Sequence, residues 1–423
     1  MAATEPGTTR RDFVKTLGAL GLSSSLFPRW MPRMAFRSWQ QDTPGDTLVV
    51  IFQRGGMDGL NVVVPYAEGG LYYDRRPTIA IPEPDGSDHT CLDLDGFFGL
   101  HPTLRPLHEI FQEGHLAVIQ AVGSPDPTRS HFDAMEFMER GTPGEKLTST
   151  GWINRHLQSA AWQNDSPFRA IGIGTIVPSS LRGPIPALAL QSIADFHLSG
   201  RDDQLALLQR TLASLYRVPS PTDDLGIQAA KVFDSSEVLT RLAQAGYQPE
   251  NGAEYPDTDF GRGLQQVAQL VKENLGLEIA CLDIGGWDTH EDQGGTEGQF
   301  AANLDELARG LGAFHTDLRN YMGDVTVVTM SEFGRRADEN ASAGTDHGHG
   351  NCMFVMGGGV NGGVYSRWPG LQDEALDDGD LAITTDYRDV LTEILTYRML
   401  NPAIDQIFPG FTPTAQGILV PRA

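Results

Sequence analysis

The fold is decided by Thr47-Leu48-Val49-Val50-Ile51-Phe52, a continuous apolar run that is soon followed by Gly55-Gly56. A short apolar run bounded by turn residues is typical of a strand that is buried on both faces of a parallel sheet. Similar runs occur at residues 116–122, 277–282, 325–330 and 352–356. Helical periodicity separates them, at residues 104–113, 204–216, 260–274, 300–321 and 386–400. This alternation predicts an α/β fold with a mostly parallel central sheet and helices on both faces.

The composition predicts a folded protein and argues against several classes of partner. The chain has 423 residues, of which 40% are hydrophobic, and this content is sufficient for a large core. It has 31 Lys and Arg against 55 Asp and Glu, so its formal net charge is −24. Nucleic acids and anionic membranes both attract basic residues. We therefore expect no nucleic-acid partner and no adhesion to anionic membranes.

The N-terminus has the residue order of an export signal. Thr9-Arg10-Arg11-Asp12-Phe13-Val14-Lys15 precedes a mildly apolar stretch that ends in serines and Pro28. Twin arginines with a phenylalanine two positions later resemble the twin-arginine class of signals. The alternative is a basic, amphipathic first helix of the domain. We predict that residues 1–41 are a signal and leader read by the twin-arginine export machinery, and that the mature protein is periplasmic or secreted.

Residues 42–423 are predicted to form a single domain. No change in composition divides this segment, although residues 198–275 are mainly helical and are expected to form an insert or cap. No stretch of about 18 apolar residues occurs after the N-terminus. We therefore expect no integral membrane segment in the mature chain.

Carboxylates and histidines follow the predicted strands, where each strand ends. In open α/β sheets, ligands bind outside the carboxyl ends of the strands. The candidate metal ligands at these positions are Asp58, Asp288, His290, Glu332, Asp346, His347 and His349. Taken singly, each is also explained as a polar turn or loop residue. Together they predict one or two divalent metal ions, and mixed carboxylate and imidazole ligands suit zinc, manganese or iron better than calcium.

A serine and two arginines lie on the same loops. Ser130 stands where the loop after the second predicted strand enters a helix. Serine is favoured there as an N-cap, but the positive helix end, together with a metal, would also favour its alkoxide as a nucleophile. Arg129 and Arg335 have the bidentate geometry to bind a phosphate or sulfate oxyanion, although pairing with surface acids is the alternative. Ser130, Arg129 and Arg335 are therefore the candidate catalytic residues.

The order of these motifs resembles the alkaline phosphatase superfamily, which includes phosphatases, phosphodiesterases, sulfatases and phosphomutases. More closely, the chain resembles a family of exported bacterial proteins catalogued as a domain of unknown function, number fifteen hundred and one. The motifs that carry the resemblance are Arg54-Gly55-Gly56-Met57-Asp58-Gly59-Leu60-Asn61, Arg129-Ser130-His131-Phe132, Gly286-Trp287-Asp288-Thr289-His290, Ser331-Glu332-Phe333-Gly334-Arg335 and Asp346-His347-Gly348-His349-Gly350.

The resemblance implies an alkaline-phosphatase-like fold with Ser130 as the nucleophile. It also implies that Asp58 and Glu332 hold the metal beside the serine, whereas Asp288, His290 and one of the late histidines hold the other. Phe333 departs from the pattern, because the superfamily usually has a histidine at that position.

The sequence is compatible with two functions. The first is an exported, metal-dependent hydrolase of phosphate or sulfate esters, whose partner is a small anionic ester substrate. The second is a non-catalytic, metal-stabilised binding or assembly protein on the same fold, because a fold does not determine a function. A catalytic metal site keeps an open coordination position, whereas a structural site is closed by protein ligands.

Overall fold

The described part of the protein contains a large central sheet and a small accessory sheet. The computed structural model describes residues 45–162, 164–193 and 238–422. The strands within these ranges are β1 (Thr47–Gln53), β2 (Val63–Val64), β3 (Leu92–Asp93), β4 (Gly99–Leu100), β5 (Leu116–Gly123), β6 (Ala170–Ile173), β7 (Leu188–Leu190), β8 (Ile279–Ile284), β9 (Val325–Met330), β10 (Asn351–Gly357), β11 (Gly363–Tyr365) and β12 (Thr385–Asp386). The predicted leader, and residues 198–237 of the predicted insert with its helix at 204–216, lie outside the described residues.

The central sheet is mixed but mostly parallel, as the sequence predicts. Its strand order is β11-β5-β10-β9-β1-β8-β6-β7, and β12 pairs with β5. Strand β10 runs antiparallel to both of its neighbours, whereas the other pairings in this described sheet are parallel. The apolar run of β10 resembles the parallel strands, but residues 331–350 join β9 to β10 without a crossover helix. A parallel pair would need such a crossover, so the chain returns in the opposite direction.

The helices cover both faces of the sheet. Those with both ends in the described ranges are α1 (Gly59–Val62), α2 (Gly70–Tyr73), α3 (Arg105–Gln112), α4 (His131–Arg140), α5 (Trp152–Ser159), α6 (Asp259–Lys272), α7 (Gln299–Asp317), α8 (Tyr387–Glu393) and α9 (Ile404–Ile407), and residues 238–245 are also helical. A π-helical turn, Ile394–Arg398, continues α8, where the sequence predicts one helix over 386–400. None of these helices is long and apolar enough to cross a membrane.

Two hydrophobic cores lie on the two faces, because successive strand residues point in opposite directions. In β1, Val49 and Ile51 face one core, while Leu48, Val50 and Phe52 face the other. Helices α3, α6 and α7 contribute buried side chains to the first core, and α5, α8 and α9 to the second. The short antiparallel sheet β2-β4-β3 has its own ladder, and its residues Val63 and Leu100 pack into the first core.

This topology brings four loops to one end of the central sheet. The parallel strands β1, β5, β8 and β9 all end there, and antiparallel β10 begins there. The loop between β9 and β10 therefore leaves and returns at the same end. We call this end the carboxyl edge, and it carries the motifs that the sequence singles out.

Candidate metal centre

Three histidines and one aspartate meet at the carboxyl edge, and we call them the His/Asp centre. The residues are His131, Asp288, His290 and His347. Asp288 Oδ1 lies 3.4 Å from His131 Nε2, 3.0 Å from His290 Nε2 and 3.2 Å from His347 Nε2. The Nε2 atoms of His290 and His347 are 3.0 Å apart. Potential metal-ligand atoms from three separate loops therefore meet around Asp288 Oδ1.

Each histidine of the centre has its other ring nitrogen on an oxygen atom. The contacts are His131 Nδ1 to Glu332 Oε1 at 2.7 Å, His347 Nδ1 to the carbonyl oxygen of Arg129 at 2.9 Å, and His290 Nδ1 to Asp346 Oδ1 at 3.2 Å. These partners assign the hydrogen of each neutral ring to Nδ1, which leaves a lone pair on Nε2. Metal-bound histidines are typically held in this way.

The electrostatics of the centre keep an anion facing the histidines. Burial raises the pKa of Asp288, but the hydrogen bond and the positive charge of Arg335 outweigh it and lower the pKa to about 2. The hydrogen bond to Glu332 raises the pKa of His131, whereas burial lowers the pKa of His347. Asp288 is therefore a carboxylate at neutral pH, and His131 takes up a proton most readily when no cation is bound.

The residues of the centre fit a divalent transition metal. His131 Nε2 is buried and has no hydrogen-bond partner among the described residues. Ligand atoms around a tetrahedral ion with bonds of about 2.0–2.2 Å are roughly 3.3–3.6 Å apart. Ligand atoms of His131, Asp288 and His347 all lie within 4.8 Å of one another, and His290 contacts Asp288 and His347. Imidazole nitrogens and a carboxylate oxygen are ligands that zinc and related ions prefer. The Asp288 side chain is 49% exposed, so the centre opens to solvent.

Close backbone packing sets the position of Asp288. Gly55 has a φ of +125°, and a Cβ atom built on it would lie 2.7 Å from the backbone nitrogen of Asp288. A glycine is therefore needed for the β1 loop to pass this close to the β8 loop. The backbone N–H of Gly55 also donates to Glu332 Oε1 at 2.8 Å, which joins the β9 loop to the same point.

Arg335 is buried and joins these loops by hydrogen bonds. Its side chain donates to the carbonyl oxygens of Gly55, Gly56, Trp287 and Thr345. It also donates to Asp288 Oδ1 at 2.7 Å. Arg335 therefore positions the carboxylate of the centre, and the predicted contact with a substrate anion, which stays a prediction, would require it to leave these oxygens.

Two of the predicted ligands contact a histidine of the centre and are not part of the centre itself. Glu332 is buried and reaches the centre through His131, and Asp346 reaches it through His290. A hydrogen bond from Asn340 lowers the pKa of Asp346, so this carboxylate is also ionised near neutral pH. In the arrangement described here, both carboxylates orient a histidine.

The remaining predicted ligands have other partners. Asp58 is fully buried, and its Oδ2 accepts from Arg76 Nη1 at 2.6 Å and from Gln293 Nε2 at 2.7 Å. His349 has Nδ1 3.1 Å from Asp377 Oδ2 and Nε2 3.0 Å from the carbonyl oxygen of Ser124. The structure thus brings Asp288, His290 and His347 together, but it holds Asp58 and His349 in separate hydrogen-bonded clusters.

Ser130 and Arg129 lie directly beside the centre in the chain. Ser130 is the exposed N-cap residue of α4, yet its side chain makes no capping hydrogen bond within the described structure. The guanidinium of Arg129 pairs with the buried carboxylate of Asp380. The serine hydroxyl is therefore not engaged by its own helix, whereas Arg129 already has an anionic partner.

Sequence reasoning did not nominate His131 as a ligand. The residue follows Ser130 directly, and the sequence pattern offers the serine hydroxyl of this motif as the reactive group. One signal was available, because His131 also lies in a loop that follows a predicted strand. Its inclusion would have given imidazoles on three of the four loops.

Comparison with known proteins assigns the chain to a family. The family described as "Protein of unknown function (DUF1501)" matches residues 116–401, so the chain belongs to this family. This confirms the family resemblance in the sequence. No protein in the comparison with curated proteins matches the chain significantly.

Several solved structures are similar at low sequence identity. The lipoteichoic acid synthase LtaP from Listeria monocytogenes is 10% identical, with 82% of this chain and 76% of that chain covered and a TM-score of 0.33. A protein in the alkaline phosphatase superfamily from Vibrio parahaemolyticus is 12% identical, with coverage of 87% and 70% and a TM-score of 0.37. The C-terminal periplasmic domain of EcEptC from Escherichia coli is 11% identical, with 88% of each chain covered and a TM-score of 0.34.

Proposed function

We propose that this member of the family is a metal-dependent hydrolase of phosphate or sulfate esters. The observation that supports this most is the His/Asp centre itself. Three Nε2 lone pairs face one carboxylate oxygen, and each imidazole is oriented from behind by an oxygen atom. Lone pairs directed at one another are unfavourable unless a cation lies among them.

The proposed roles follow from the chemistry of the donors. His131, Asp288, His290 and His347 would hold one divalent ion, which supplies Lewis-acid stabilisation of negative charge on an ester oxygen. The N-terminus of α4 begins at the neighbouring residue, and its backbone N–H groups and dipole favour the oxygens of a tetrahedral anion. A small anionic ester is the substrate class that suits both features.

Ser130 is the proposed nucleophile. Its hydroxyl is exposed at the start of α4, where the positive helix end favours an alkoxide. The serine oxygen would bond to phosphorus or sulfur while the bond to the leaving alcohol breaks, and the hydroxyl proton would pass to solvent. Water would then hydrolyse the seryl ester. Arg129 would break its ion pair with Asp380 and contact the substrate anion instead.

The test compares Ser130, the N-cap residue of α4, with Thr258, the N-cap residue of α6. Ser130→Ala should lower turnover of aryl phosphate or aryl sulfate by several orders of magnitude with little change in stability, because its hydroxyl makes no capping bond. Thr258 caps α6 with a bond of 3.1 Å from Gly261 N to its Oγ1, so Thr258→Ala should lose about 1 kcal/mol of stability and keep its turnover.

Two results would contradict parts of this proposal. Full turnover in Ser130→Ala would eliminate the serine as the nucleophile. A purified protein that binds metal stoichiometrically but hydrolyses neither ester would favour the alternative, a metal-stabilised binding or assembly protein. Metal analysis before the ester assay is therefore part of the experiment.

Export by the twin-arginine route is also a proposal. Arg10 and Arg11 form the pair that the export receptor would recognise, and the conservative change of both to lysine keeps the charge. The doubly substituted precursor should remain in the cytoplasm, as measured by cell fractionation. Delivery of that precursor to the periplasm at the normal level would contradict the proposed localisation.

A further inference from the structure

A second cluster of potential metal ligands lies at the opposite end of the central sheet. His115 directly precedes β5, and its carbonyl oxygen accepts from the N–H of Gly357 at the end of antiparallel β10. The eight residues of β5 separate this cluster from the loop that carries His131, a length of about 25 Å. The cluster is therefore independent of the His/Asp centre.

The cluster consists of Glu113, His115 and His315. His115 Nδ1 lies 3.3 Å from His315 Nε2. Glu113 Oε2 lies 3.9 Å from His115 Nδ1 and 4.0 Å from His315 Nε2. The distance between the two histidine nitrogens matches the roughly 3.3–3.6 Å edge of a tetrahedral site with bonds of about 2.0–2.2 Å. The two distances to the glutamate oxygen are longer, and all three ligand atoms lie within 4.8 Å of one another.

The backbone holds two of these ligands in place. Helix α3 ends in a turn in which Gly114 has a φ of +83°, His115 N donates to the carbonyl oxygen of Ile110 at 3.1 Å, and Gly114 N donates to that of Phe111 at 2.9 Å. This left-handed turn is a common helix terminus and favours glycine. It places Glu113 and His115 on either side of one glycine, and both face the same imidazole.

His315 is the buried member of the cluster. It lies in the last turn of α7, and its side chain is 6% exposed, whereas those of Glu113 and His115 are 50% and 43% exposed. Burial lowers the pKa of His315, so the ring stays neutral and can act as a ligand. The cluster therefore has one fixed ligand in the protein and two that solvent can reach.

A hydrogen bond between the two histidines accounts for only part of this arrangement. One ring nitrogen can donate to the other, but the glutamate oxygen lies too far from both nitrogens to accept a hydrogen bond. The carboxylate thus faces two imidazole nitrogens across a gap of the size of an ion. We infer that Glu113, His115 and His315 bind a divalent transition metal such as Zn²⁺, which fastens the end of α3 and the start of β5 to the end of α7.

Zinc stoichiometry tests this inference. The mature protein is stripped of metal, loaded with zinc, passed through gel filtration and analysed by mass spectrometry. If both sites bind, the wild type retains two ions per chain and His115→Ala retains one. His89→Ala changes an exposed loop histidine and serves as the matched control, which should retain two. His115 is preferred to His315 for the substitution, because its partial exposure favours normal folding.

A variant that lacks the His/Asp centre distinguishes zinc binding at this cluster from zinc binding at that centre. The double variant His290→Ala, His347→Ala should keep one zinc ion, and the further change His115→Ala should remove it. In the double variant, zinc at one hundred times its Kd should raise Tm by about 3 °C, and this rise should vanish with His115→Ala. If the double variant binds no zinc, or if His115→Ala leaves the stoichiometry unchanged, the inference is overturned. Failure of the His/Asp centre alone would instead leave one ion in the wild type, still lost with His115→Ala.

Discussion

Replacement of Glu332 by glutamine distinguishes a metal ligand from a residue that orients one. Glu332 is 1% exposed, and its Oε1 accepts from Gly55 N at 2.8 Å and from His131 Nδ1 at 2.7 Å. Its Oε2 lies 3.2 Å from Ser331 Oγ. Glutamine has nearly the same shape, so its carbonyl oxygen can keep the first two contacts while its amide donates to Ser331. We therefore expect Glu332→Gln to fold normally.

The expected change is in metal affinity. Glutamine turns a charge-assisted hydrogen bond to His131 into a neutral one, and it makes Nε2 of that ring a weaker base. Loss of an orienting carboxylate of this kind typically costs 10–100-fold in metal affinity, which is about 1.4–2.8 kcal/mol. The zinc stoichiometry of the His/Asp centre should stay at one ion.

A competition titration against a chromophoric chelator measures this affinity, and mass spectrometry measures the stoichiometry. Glu374→Gln, which changes an exposed carboxylate, is the control and should leave both unchanged. Complete loss of the ion from Glu332→Gln would show that Glu332 is a direct ligand, as the superfamily resemblance implies. An affinity equal to that of the wild type would refute the orienting role.

Three further predictions concern stability and protonation. Arg76→Met should lower the free energy of unfolding in urea by about 3–5 kcal/mol, because it leaves the fully buried Asp58 carboxylate without its cation; a loss below about 1 kcal/mol would contradict this account. Burial lowers the pKa of His156 to about 3, below the value near 6.5 of the unfolded chain, so the unfolded state binds the proton more readily and stability falls as pH drops below about 6.5. Protonation of His156 should account for about 2 kcal/mol of the decrease in the free energy of unfolding between pH 7 and pH 5. Urea unfolding of His156→Gln at pH 7 and at pH 5 should show a decrease that is smaller by this amount. Zinc binding should release protons and tighten as pH rises, because His131, whose pKa its bond to Glu332 raises, must lose a proton to bind the ion; calorimetry in two buffers of different ionisation enthalpy should detect this release.

The strands of the central sheet follow directly from the sequence. Strands buried on both faces must be apolar throughout, and β1, β5 and β9 lie within one residue of their predicted ends. The direction of β10 does not follow in the same way, because an apolar run has the same composition in either direction. The length and path of residues 331–350 decide it, and these depend on how the loop packs at the carboxyl edge.

The candidate site was partly predictable for a similar reason. Parallel strands bring their carboxyl ends together, so polar residues after β8 and β9 were expected to meet, and Asp288, His290 and His347 do so. Spacing along the chain does not give the direction of a side chain. Asp58 points to Arg76 and His131 points to Glu332 because of partners supplied by other elements.

What the sequence determined by itself is the strand pattern, the family and the loops that carry the chemistry. These depend on local composition and on the order of motifs, both of which a linear chain contains. Only the tertiary structure decided which imidazole nitrogens face the same point, which carboxylates stand behind them, and that a glutamate and two histidines meet at the far end of the sheet. Those relations join residues as far apart in sequence as His115 and His315, and their distance depends on how α3, β5 and α7 pack together.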